Sequence, residues 1–152
     1  MKKHLLVSFF FLISLNLISQ QVNSEYDSLL ARKLGADENG MKNYIFVILK
    51  TGPAVIEPGA KRDSLFRGHM ANINKLASEG KLVVAGPFDK NQLNYRGLFI
   101  LNVRTIDEAK VLLEGDPTVK EKIFDTELIP WYGSAALGEY METANKITRF
   151  RH

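Results

Sequence analysis

The chain predicts an α+β domain of the ferredoxin-like kind, an antiparallel sheet with its helices on one face, preceded by a cleavable export segment. Three observations lead there. Strand-like and helix-like periods alternate in the order β-α-β-β-α-β from Tyr44 to Trp131. An apolar run follows Lys2 and Lys3 at the start of the chain. The first and third strand segments are apolar on both faces, although two helices can cover only one.

In the opening segment, Lys2 and Lys3 precede the apolar run Leu5 to Ile13, which continues through Leu15, Leu17 and Ile18 to the small residue Ser19. That is the layout of a signal peptide, residues 1–19, with cleavage near Ser19. A retained membrane anchor is the alternative, but Ser8, Ser14 and Asn16 interrupt a stretch already shorter than the roughly 20 apolar residues of a spanning helix. The chain has no Cys to carry a lipid. The expectation is therefore an exported protein, periplasmic or secreted, with no membrane attachment after cleavage. Without Cys there are also no disulfides, no thiolate nucleophile and no Cys-ligated zinc, so packing alone must stabilise the core.

The 152 residues, 45% of them hydrophobic, have room for one domain beside that segment. The formal charge of +3 overstates the basic character: 20 Lys and Arg, less those at positions 2 and 3, leave 18 against 17 Asp and Glu. A mature charge near +1 gives no clustered basic face for phosphates, so nucleic acid is not an expected partner.

Residues 20–43 are polar, with turn-like groups at Leu34 to Asp37 and Glu38 to Gly40, and Ser28 to Lys33 has room for a helical turn or two. This stretch reads as an extension wrapping the domain or as a flexible leader. The domain itself spans 44–133. Tyr44 to Leu49 is a run of aromatic, leucine and β-branched side chains closed by Thr51-Gly52-Pro53, a strand with two apolar faces. From Lys61 to Glu79 the period becomes 3.6, with Leu65, Phe66, His69, Ile73, Leu76 and Ala77 on one side and Gly80 at the stop. Leu82 to Ala85 and Gly97 to Val103 form a hairpin with a long polar tip. Thr105 and Glu108 make a capping box ahead of a helix to Leu113, and Asp116-Pro117 starts a short third helix. Phe124 to Trp131 is the last strand, and residues 134–152 form a mostly polar, helical tail.

A sheet apolar on both sides needs a second cover. A two-fold copy of the chain, giving a dimeric α+β barrel, is the simplest source. The terminal extensions are the alternative.

No serine elbow, phosphate loop, HExxH or dinucleotide fingerprint occurs, so no cofactor and no metal is expected. Chemistry must rest on single residues. His69 lies inside the apolar stripe of the first helix, about 40° from Leu65 and about 20° from Leu76 by the helical period, and so faces the sheet. It is either a hydrogen-bonded core histidine or a general acid or base. Asp116 is the natural carboxylate partner; an N-cap is its plainer role, and the two are compatible if one oxygen caps while the other faces the imidazole. Arg62 and Arg67 flank the start of the first helix, and Tyr95, Arg96, Trp131 and Tyr132 sit at strand ends or the hairpin tip. Two or three of these six are expected to line a small-molecule site for an anionic or aromatic ligand.

The run Arg62-xxxx-Arg67-x-His69, then Gly80-Lys81-Leu82-Val83-Val84-Ala85-Gly86-Pro87, Gly97-Leu98-Phe99-Ile100, Asp116-Pro117 and Ile129-Pro130-Trp131 resembles the YciI-like (YCII-related) family. The resemblance covers roughly Tyr44 to Trp131. It implies a ferredoxin-like subunit in a homodimeric α+β barrel, with His69 and Asp116 as the active-site pair by motif position. It also implies small ligands and, for some relatives, lyase or dehydrohalogenase chemistry; for most of the family the activity is unassigned. Export and the segments at both ends depart from the family's pattern, so no relative's substrate is carried over.

The expected function is thus acid–base chemistry of lyase or hydrolase type on a small molecule, with His69 and Asp116 catalytic and Arg62, Arg67, Tyr95 and Trp131 binding substrate. A non-catalytic periplasmic dimer holding a small ligand is the alternative. A purely structural His–Asp pair is the third reading.

Overall fold

A computed structural model describes residues 23–149. The signal peptide expected over residues 1–19 falls outside the described residues. Nine elements follow in order: α1 (Ser28–Leu34), β1 (Met41–Thr51), α2 (Ala60–Ser78), β2 (Leu82–Pro87), β3 (Tyr95–Leu101), α3 (Ile106–Glu114), α4 (Pro117–Lys120), β4 (Phe124–Ser134) and α5 (Leu137–Ile147). The four strands form one antiparallel sheet in the order β2-β3-β1-β4. With α2 and α3 on one face, this is the ferredoxin-like arrangement the sequence predicts.

Strand parity decides what each face carries. Ile45, Val47 and Leu49 of β1 point toward the helices and pack with Leu82, Phe99 and Leu101 against Leu76 of α2 and Ala109 and Leu113 of α3. The register sets Val47 between Phe99 and Leu128, placing bulky groups side by side across three strands. The alternate residues Tyr44, Phe46 and Ile48, with Leu98 and Ile100 of β3, occupy the outer face.

Helix ends follow their local chemistry. Thr105 accepts a hydrogen bond from the Glu108 amide at 3.2 Å while the Glu108 carboxylate accepts from the Thr105 amide at 3.0 Å, the capping box expected for α3. Gly80, at φ 66°, turns the chain out of α2 where a side chain would be strained. The strands run further than their apolar cores suggest: β1 pairs with β4 from Met41↔Ser134 to Thr51↔Phe124.

Both terminal segments pack on the domain. Leu137 joins Tyr44, Val83 and Ile100 at one end of the outer face, and Ala135 is buried there. From that point α5 runs along β2. Helix α1 meets it: Lys33 pairs with Glu139 at 3.2 Å, and Lys42 donates to the Leu34 carbonyl at 3.1 Å. The extensions thus cover one end of the outer face. Ile129 and Trp131 of β4 remain 41% and 37% exposed, beside the half-buried Phe46, Ile48 and Leu98.

Candidate active site

Helix α2 repeats Arg62, Phe66, His69, Ile73 and Leu76 at three- and four-residue spacing, which aligns them along the face toward the sheet. His69 is therefore nearly buried among rings. Phe99 of β3 stacks on it at 6.0 Å between centroids, and Phe124 of β4 and Phe66 meet it edge-on at 5.5 and 6.3 Å.

Asp116 arrives from the turn between α3 and α4. Its Oδ1 accepts from the Thr118 amide at 2.9 Å, which caps α4, and from the Thr118 hydroxyl at 2.7 Å. Its Oδ2 lies 2.6 Å from Nδ1 of His69. Thr118 and Asp116 are fully buried, so the carboxylate depends on these contacts for all its solvation. Burial acts to raise the Asp116 pKa, but the hydrogen bonds from His69 and Thr118, together with the attraction of the imidazole, outweigh it and hold the carboxyl below its ordinary value.

Close approach of α2 and α4 makes the contact possible. A Cβ on Gly68 would stand 2.5 Å from Cγ of Pro117, so only glycine lets the two helices meet at this depth. Asn72, on the same helix as His69, is also buried, and among the described residues its Nδ2 has no hydrogen-bond partner.

His69 lines a cavity of about 800 Å³, within the range typical of small-molecule sites. The cavity sits where β1 ends and β3 begins. Phe66, Met70 and Ile73 of α2, Leu49, Phe99 and Phe124 of the sheet, and Ala54, Val55 and Ile56 of the β1–α2 loop supply its apolar walls. Arg62 and Arg96 supply its cations. The guanidinium of Arg62 lies over the Phe66 ring at 5.6 Å, and Nε of Arg96 donates to Thr51 Oγ1 at 2.6 Å. With Nδ1 committed to Asp116, Nε2 is the imidazole nitrogen left for whatever enters. Among the described residues no group of three His, Asp or Glu side chains gathers to hold a metal.

Of the residues expected to bind substrate, the structure brings only Arg62 to this cavity. Arg67 is two positions from His69, about 200° around the helix, and lines a shallow groove with Asp63 and Met70 on the outer side of α2. Trp131 is seven residues from Phe124 in the same strand, an odd number, so it projects from the opposite face and packs on Tyr44 at 5.7 Å. Tyr95 turns toward Phe88 at 6.3 Å, while its neighbour Arg96 reaches the cavity. The sequence alone marks neither Thr118 nor the three phenylalanines as site residues. A Thr two residues after a capping Asp is the signal available for Thr118; for the phenylalanines no local signal separates a ring on histidine from a ring in the core.

Fold and site together define a ferredoxin-like α+β protein with a buried histidine–carboxylate pair at the wall of an apolar cavity. The chain belongs to the YCII-related domain family, whose model matches residues 44–132. Among solved structures it is similar to 5-chloro-2-hydroxyhydroquinone dehydrochlorinase (TftG) from Burkholderia phenoliruptrix AC1100, in complex with 2,5-dihydroxybenzoquinone. That similarity has 24% identity, 57% of this chain and 92% of the other covered, and a TM-score of 0.40. No curated protein matches the chain.

Proposed function

We propose that this protein is an exported small-molecule enzyme in which His69 transfers a proton to and from a ligand in the cavity while Asp116 orients the imidazole. The observation that carries the reading is the 2.6 Å contact between Nδ1 and Oδ2 beside a cavity that His69 lines. In its neutral Nδ1–H form the ring donates to Asp116 and keeps a lone pair on Nε2. When Nε2 takes a proton, the buried carboxylate compensates the charge the ring gains. In a lyase step the proton leaves a carbon of the ligand, the C–H electron pair becomes a C=C bond, and the group on the neighbouring carbon departs with its own pair. Nε2–H then returns the proton to solvent or product.

The test is a screen of small organic molecules in D2O with the purified protein, read by NMR for deuterium uptake or elimination. Turnover should fall by about 10²-fold or more in His69→Gln with the fold intact by circular dichroism. Unchanged turnover in that variant removes His69 from the mechanism. A ligand that stays bound and unmodified, with no turnover anywhere in the screen, would favour the binding-module reading.

Export rests on the Leu5 to Ile13 run behind two lysines. Its check is the intact mass of protein recovered outside the cytoplasm of a secreting host, which should start near Gln20. Pairing of two copies through the outer face rests on the apolar residues the terminal helices leave uncovered.

A further inference from the structure

The cavity beside His69 has apolar walls, yet Arg62 and Arg96 line it and, among the described residues, no Asp or Glu does. Among the described residues Arg62 makes no ion pair, only its contact with the Phe66 ring, and Arg96 bonds through Nε to a neutral hydroxyl. Arg62 and Arg96 are both exposed at the rim of the cavity, so water solvates them in the free protein and their donors stay open to an anion that enters. The carboxylate of Asp116 is not available to them, since both its oxygens are taken by Thr118 and His69.

We infer that the ligand of this site is a small organic oxyanion, a carboxylate or an ionised phenol, whose apolar body lies against Phe66, Phe99 and Phe124 while Arg62 and Arg96 hold its charge. The inference rests on the acid–base reading for the proton transfer and adds the substrate class. Thr51 fixes one side of the Arg96 fork by accepting from Nε, so the terminal nitrogens are the donors left for the ligand. Anchoring the charged end at the arginines leaves the rest of the molecule to approach Nε2. Arg62 and Arg96 bind the ligand directly in this scheme and take no part in the proton transfer.

The experiment is a two-dimensional NMR titration of the purified protein with benzoate, 2,4-dinitrophenolate and the neutral benzamide, followed on the amides of Gly97 and Phe99. At least one anion should bind about tenfold or more tightly than benzamide, and that preference should weaken with added salt. It should vanish in the Arg62→Gln, Arg96→Gln double variant while benzamide binding is retained. In His69→Gln the anion should still bind, which separates this inference from the proton-transfer reading: loss of turnover there bears only on the chemistry. Equal binding of the three probes, no binding of any, or an anion preference that survives in the double variant overturns it. The two anions report separately, so a site for carboxylates is told from one for phenolates.

Discussion

Asp116 has one oxygen in the backbone and the other in the site. Oδ1 caps α4 through the Thr118 amide, and Oδ2 holds His69, so removing its charge disturbs both. Asp116→Asn keeps the shape and a carbonyl for the cap but places an amide or a neutral oxygen against Nδ1. The expected cost is about 1–3 kcal/mol of stability, measured by urea unfolding at neutral pH. The sign of the pH dependence follows from the depressed pKa of the folded carboxyl. The unfolded chain takes up the proton first, so the stabilisation is present above the ordinary value near 4 and is lost as pH falls through the lower folded value. Thermal unfolding between about pH 5 and pH 2 should therefore show a stability loss that is smaller in Asp116→Asn than in the parent. An equal loss in both would deny Asp116 its ionised role. At this scale the sequence announced the cap, because Asp-Pro at a helix start is local chemistry. The partner was only a conjecture, because 47 residues separate His69 from Asp116 and spacing along a chain does not encode a contact across a fold.

Between elements, the decisive contact is Gly68 on Pro117. A glycine within a helix costs about 1 kcal/mol relative to alanine, and its presence nine residues into α2 makes sense only from what lies opposite. Gly68→Ala should thus reverse the usual helix preference. The added methyl must push α4 away, lowering stability by about 1–3 kcal/mol and widening the separation of His69 and Asp116. Chemical denaturation checks the first effect, and loss of the downfield Nδ1–H proton resonance checks the second. A variant more stable than the parent would mean the helices yield freely. Element identity was legible because each period persists: 3.6 along α2 and continuous apolar runs in β1 and β3. The choice between Tyr95 and Arg96 was not. The β1–β3 ladder is irregular at Leu49/Lys50, and a bulge there breaks the two-residue alternation on which assignment of faces depends.

For the whole molecule, the outer face is partly covered from within. The sequence allows a twin subunit or the extensions as its cover, and α1 and α5 take one end while Ile129 and Trp131 stay exposed beside the half-buried Phe46, Ile48 and Leu98. Trp131 therefore belongs to this surface, where its ring packs against Tyr44 and Phe46. Pairing of two copies predicts a dimer in sedimentation, converted to monomer by Ile129→Lys, whose position on the exposed β4 surface should leave the subunit folded. A monomeric parent protein would remove the barrel. Tail packing could not be read from residues 134–152, because few strong apolar positions distinguish a docked helix from a loose one, and Leu137 and Ala135 carry the attachment. That attachment matters to anyone trimming the gene. The family match ends at Tyr132, yet a product cut there would lose the α5 flank of β2 and the lid on Val83 and Ile100, baring a strand margin ready to recruit its neighbours into ribbons.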